Sequence, residues 1–143
     1  MRWILFLHIV FVATWLGCVL VEGVFEHAAE PSAQARRLIS RAHWQIGQAV
    51  EIPAFFGALV TGAVMAATIP MTPPLETKIA FGLAAVVVNA YCVVIVRRRL
   101  KAAEAGDDAA WAAIDARQHQ WGVVVFAAML IALAIGGYLF ADR

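Results

Sequence analysis

The chain reads as an all-α integral membrane protein, an up-down-up-down four-helix bundle whose helices overshoot the bilayer on the cytoplasmic side. Three observations predict this. First, 63% of the 143 residues are hydrophobic and mean hydropathy is +0.79, whereas a soluble domain is about 45–50% apolar. Second, Trp3–Val21, Ala49–Ile69, Ile79–Val96 and Trp121–Phe140 each approach the roughly 20 mostly apolar residues that cross a bilayer. Third, the connections are short, and short connections make consecutive helices antiparallel neighbours. Spanning accounts for nearly all of the chain, so residues 1–143 form a single domain.

In order, helices are expected over residues 2–29, 33–69, 75–105 and 108–141. The first apolar run is longer than the roughly 7–15 residues of a signal peptide, and no clear small-x-small cleavage site follows it. After Pro31, Ser32 can cap the second helix by accepting a free backbone N–H, and Pro53 should kink it. The run 69–74, Ile-Pro-Met-Thr-Pro-Pro, is a stiff turn. The third helix continues past Arg97-Arg98-Arg99 and ends at Gly106; Asp107 or Asp108 then caps the fourth. Residues 109–120 mix alanine with Asp115, Arg117 and Gln118, which suits a helix emerging into water.

A net charge of +1 says little about partners, but its distribution sets an orientation. Arg36, Arg37, Arg41, Arg97, Arg98, Arg99, Lys101 and Arg117 lie in or beside the first and third connections, and only Arg2, Lys78 and Arg143 flank the other side. The positive-inside rule places both basic connections in the cytoplasm and both termini outside, in a bacterial-type inner membrane. Topology explains these arginines, and no aromatic interleaving points to nucleic acid. Cys18 and Cys92 fall inside spans and read as small packing residues, not as a disulfide framework.

Helical spacing sorts side chains by face. His8, Trp15, Glu22 and Glu26 share a stripe on the first helix. His43, Gly47 and Glu51 continue into Ala54, Ala58, Thr61 and Met65 on the second. Lys78, Gly82, Ala85, Asn89 and Cys92 align on the third, and His119, Phe126, Leu133 and Gly137 on the fourth. Small and polar residues of membrane helices tend to face the bundle interior, so these stripes are expected to meet.

At the cytoplasmic edge this brings Glu22, Glu26, His43, Glu51 and His119 into one layer. Carboxylates and imidazoles suit transition metals such as Zn, Fe or Cu, and bundles build such sites from inward Glu and His on several helices. Gln48 is placed to hydrogen-bond a ligand from behind. Two Glu-x-x-His motifs, the usual di-iron signature, are absent. A plainer arrangement also fits, in which these groups lie in interfacial water or pair with Arg41 and Arg117. His27 lies about 140° off the Glu22 face and reads as a solvated helix-end residue. The outer half carries a second set. His8 sits about 21 Å from Glu22 along the helix axis, with Met65 and Lys78 toward its side and Asn89 near mid-depth. That set could hold a cofactor such as haem b, with His8 and Met65 as axial ligands, or could be ordinary packing.

Leu7-His8-Ile9 followed by Trp15-x-Gly17, Thr61-Gly62 late in helix two, and Lys78-Ile79 opening helix three resemble two small four-span families. These are the copper resistance protein D domain and the HemJ-type protoporphyrinogen oxidases. The resemblance implies a four-helix fold and a haem or copper theme, with His8 and Lys78 at the HemJ-type signature positions. The Glu22, Glu26, His43, Glu51 and His119 set belongs to neither pattern. The functional expectation is a membrane protein that binds a transition metal through its Glu/His cluster, with metal-dependent enzyme chemistry as one extension. The alternatives are a haem-dependent membrane oxidoreductase, a copper-handling protein, or a cofactor-free structural subunit of a membrane complex. Gly136-Gly137 near the end of the fourth helix permits close approach in a homodimer.

Overall fold

A computed structural model describes residues 2–28 and 32–141. Its helices are α1 (Arg2–Ala28), α2 (Ala33–Ile46), α3 (Ile52–Ala66), α4 (Pro73–Ala105) and α5 (Asp108–Ala141), with a π-helical turn at Gly47–Glu51 joining α2 to α3. Counting α2, the π-turn and α3 as one span, four helices are long and apolar enough to cross a bilayer. The protein is an all-α four-helix bundle and a multi-pass membrane protein.

The helix ends follow local chemistry. Ser32 Oγ accepts the Ala35 N–H at 3.1 Å, and Asp107 Oδ1 accepts the Ala110 N–H at 2.9 Å; each satisfies one of the free donors of a first turn. Gly106 closes α4 in the left-handed conformation, φ 73°, which costs glycine little. α4 begins at Pro73, two residues earlier than the sequence predicts, because proline's fixed φ and missing N–H suit a first turn. α3 stops at Ala66, short of the expected residue 69, where the Thr68 hydroxyl donates to the Met65 carbonyl at 2.9 Å.

The expected kink at Pro53 takes the form of the π-turn. The proline ring crowds the carbonyl four residues back, that of Ala49, and the wider turn around Ala49 accommodates it. The Ile52 N–H bonds the Gly47 carbonyl, five residues back. A wider turn takes more residues per revolution, so Glu51 stays nearer the His43 face than 3.6 residues per turn would leave it.

α1 packs along α3, and α4 along α5; the two hairpins join mainly where α2 meets α4, while α1 and α5 touch only sparingly. Mid-bundle, Trp15, Phe55, Ala58, Ala85, Val125 and Met129 form a core drawn from all four spans. At the basic end, arginines of α2 clasp the α4–α5 connection. Arg37 Nε donates to the Ala103 carbonyl at 3.0 Å, and Arg36 pairs with Asp108 at 2.8 Å.

Three of the four expected inward stripes are inward. The fourth is off by one residue. α5 buries Gln118, Val125, Ala128 and Met129, while Leu133 is exposed and His119 is half-buried. One residue is about 100° of helix, and an almost uniformly apolar helix offers little pattern to set that phase.

Two glycines are explained by contacts within the chain. A Cβ on Gly136 would meet Lys78 Cε at 2.9 Å, and one on Gly57 would meet three Phe11 ring carbons at 2.7 Å. Gly57→Ala should therefore overpack the α1–α3 seam. The expected cost is about 1–2 kcal/mol, in the lower part of the overpacking range because half-buried Phe11 can swing aside. Unfolding from mixed micelles with increasing dodecyl sulfate measures it. Gly17→Ala, whose Cβ meets nothing within 4 Å, is the matched control and should be near neutral.

Candidate metal centre

The site is assembled from three segments. α1 supplies Glu22, the last turn of α2 supplies His43, and the end of the π-turn supplies Glu51. All three side chains are buried, at 7%, 7% and 6% exposure, and one ligand atom from each lies within 4.8 Å of the others. Gly47 lies between the last two, and a Cβ there would touch Glu51 Oε2 at 3.5 Å.

The orientation of His43 is set from behind. Its Nδ1 lies 2.6 Å from Glu26 Oε1 and its Nε2 3.2 Å from Glu22 Oε2; in the tautomer with the proton on Nδ1, the ring donates to Glu26 and turns the Nε2 lone pair toward Glu22. Two acceptors at that distance repel unless a positive centre lies between them. Zinc bonds of about 2.0–2.2 Å in tetrahedral geometry put neighbouring ligand atoms about 3.3 Å apart, close to the observed spacing. A ligating histidine whose other nitrogen donates to a carboxylate is the usual outer arrangement of metal sites.

Glu26 is held in turn by Arg99. The guanidinium is fully buried, at 0% exposure. It donates to Glu26 Oε1 at 2.7 Å and to Asp115 Oδ1 at 2.7 Å. Its NH2 also lies 3.1 Å from His43 Nδ1, since both donors converge on Glu26 Oε1. The Trp111 ring lies beneath Arg99 and Arg36, at 6.0 and 5.7 Å, and its indole N–H donates to buried Ser40 at 2.9 Å. The Gln118 amide nitrogen is 3.1 and 3.4 Å from the two ring nitrogens of His43, so the amide lies across the imidazole face.

Of the five expected ligands, Glu22, His43 and Glu51 converge. Glu26 sits one contact further out, behind His43. His119 also lies outside the cluster. Its Nδ1–H donates to the Asp115 carbonyl at 2.9 Å and its Nε2 is 3.3 Å from Glu26 Oε2. Gln48 does not back the site. It is exposed, because the π-turn re-phases this stretch, and Gln118 occupies the supporting position instead. Asn89, grouped by sequence with the outer set, belongs here. It is 2% exposed and lies beside Glu51, although its Nδ2 makes no hydrogen bond of proper geometry. Arg41 pairs with Glu104 at 3.4 Å and leaves the cluster to Arg99, which the sequence reading treated as a topology charge. His27 is exposed, as expected, and its ring meets His119 edge to face at 5.7 Å.

The outer set stays apart. His8 Nδ1 is 3.1 Å from the Ala58 carbonyl and 3.0 Å from Thr61 Oγ1, and a Cβ on Gly62 would press its ring at 3.3 Å. Thr61-Gly62 is thus the seat of His8. Met65 and Lys78 are half-buried, the latter against Gly136.

A cavity of about 420 Å³ lies against the cluster. α1 and α5 form its walls, Asn89, Cys92 and Val96 of α4 its floor, and Glu22, His43 and Glu51 its polar end. Cys18 lies behind Glu22, Sγ to Oε1 3.7 Å. Comparison of the chain with protein-family models, curated proteins and solved structures finds no match.

Proposed function

We propose that this membrane protein binds one transition-metal ion through Glu22, His43 and Glu51, with the basic end of the bundle on the cytoplasmic side. The observation that carries the reading is the close approach of His43 Nε2 and Glu22 Oε2, 3.2 Å, with His43 Nδ1 held 2.6 Å from Glu26 Oε1. Charge supports it. Glu22 and Glu51 are buried without an ion pair to Arg99, whose bonds go to Glu26 and Asp115, and a buried carboxylate needs a cation or a proton to neutralise it. One imidazole and two carboxylates suit Zn or Fe and leave a coordination position toward the cavity, where a bound water or substrate oxygen would be activated. Enzyme chemistry at that position is the extension of this reading.

The test is elemental analysis of the purified protein, as isolated and after chelation and reloading with zinc or ferrous iron. About one ion per chain is expected, as one three-ligand site implies. A protein that takes up no ion on reloading would leave a proton as the only bridge between His43 and Glu22, and the reading fails. A Soret band in the same sample would redirect attention to haem held through His8.

A further inference from the structure

We infer that the cleft between α1 and α5 admits an uncharged, hydroxyl-bearing amphiphile from the bilayer, its head reaching the Glu22–His43–Glu51 cluster. The cavity's size lies within the roughly 300–1,000 Å³ of small-molecule sites, and its makeup, mostly apolar with a few polar groups at one end, is theirs too. Its location selects the ligand phase. Leu20 and Val24 on α1 and Val123 on α5 line the cavity yet are 48%, 71% and 67% exposed, so the cavity reaches the surface between apolar lips. On a membrane-spanning helix such lips face hydrocarbon. The edge-to-face rings of His27 and His119 line the same cavity. Gly23 and Gly122 face each other's walls, and a Cβ on either would meet nothing within 4 Å, which keeps the passage wide.

The polar end selects the head group. Glu22, Glu26 and Glu51 line this end, and no lysine or arginine stands among the described residues of the lining, so a phosphate or carboxylate head finds no cationic side chain to pair with there. A hydroxyl both donates to a carboxylate and accepts from an amide. Asn89 and Gln118 line this end, and their amides carry donors and acceptors of the kind a hydroxyl pairs with. The inference rests on the metal reading for the group that receives the head, and on the cavity walls alone for the passage.

Photolabelling in proteoliposomes with a diazirine-bearing hexadecanol tests it, with labelled peptides mapped by mass spectrometry and bound metal measured on the same samples. The expected result is labelling of residues 19–24 and 122–126 that is lost on adding excess hexadecanol or decylhydroquinone but not ionised hexadecanoate; the stronger competitor tells an aliphatic alcohol from a quinol. Gly23→Leu and Gly122→Leu, each able to fill the passage from a different wall, should each lose the displaceable labelling while keeping bound metal. Labelling that no competitor displaces is ordinary lipid contact and overturns the inference, as does equal displacement by hexadecanoate. Displaceable labelling in a chain that binds no metal would sink the metal reading and leave the passage standing.

Discussion

Arg99→Met is expected to destabilise the fold by about 3–5 kcal/mol, the cost of removing one member of a buried ion pair and stranding its partners. Glu26 and Asp115 would both lose a 2.7 Å charge-assisted bond, and the Trp111 ring would lose one of its two cations. The lower figure is the better guide, because a chain unfolded within a micelle also finds polar partners. Arg97 and Arg98 are exposed, so the same substitution there should stay within about 0.5 kcal/mol. Dodecyl sulfate unfolding of the three variants checks the contrast. Combining Arg99→Met with Glu26→Gln should cost less than the sum of the two, since each removes a charge the other leaves unpaired. If Arg99→Met behaves like Arg98→Met, the guanidinium does not hold the basic end together.

Metal affinity should fall in steps that follow distance from the ion. His43→Ala removes the one nitrogen ligand and should abolish binding. Glu26→Gln keeps all three ligands but weakens the acceptor that fixes the His43 tautomer. It should lower affinity about 10–100-fold, the usual cost of disturbing an outer partner, while full occupancy remains reachable at high metal concentration. His119→Ala should leave the ion in place, because its Nε2 touches Glu26 and not the cluster. Competition titrations against a chromophoric chelator give all three values. Equal losses in His43→Ala and His119→Ala would mean that the ion sits beside Glu26, between His43 of α2 and His119 of α5, away from Glu51.

Much of this architecture was legible from the sequence. The spans follow from apolar run length, and Ser32 and Gly106 mark helix ends because few residues perform those backbone tasks. The convergence of Glu22, His43 and Glu51 followed from stripes on the first two spans, where costly polar groups at membrane depth stand out. Arg99 was missed because it ends a run of three arginines that the positive-inside rule already explains. Its signal was phase, since it lies seven residues beyond Cys92 and so continues the Asn89–Cys92 stripe. Gln118 was missed for a different reason. Beside it stands His119, a more reactive side chain, and chemistry drew the reading one residue away from the buried face. The placement of Gln48 failed on backbone geometry, since an ideal 3.6-residue turn does not anticipate the π-turn.

That π-turn is equivalent to one residue spliced into an otherwise regular helix. It uncouples the rotational phase of α2, fastened by arginines to the α4–α5 connection, from that of α3, fastened to Trp15 and Phe11. Winding Gly47–Glu51 as a regular α-helical turn with every residue kept would act as a gear change, swinging His43 through about 100° relative to the mid-bundle core while leaving either half internally unaltered. The second span thus consists of two modules whose relative dial setting, one amino acid long, determines whether the imidazole and the Glu22 carboxylate face one another at all.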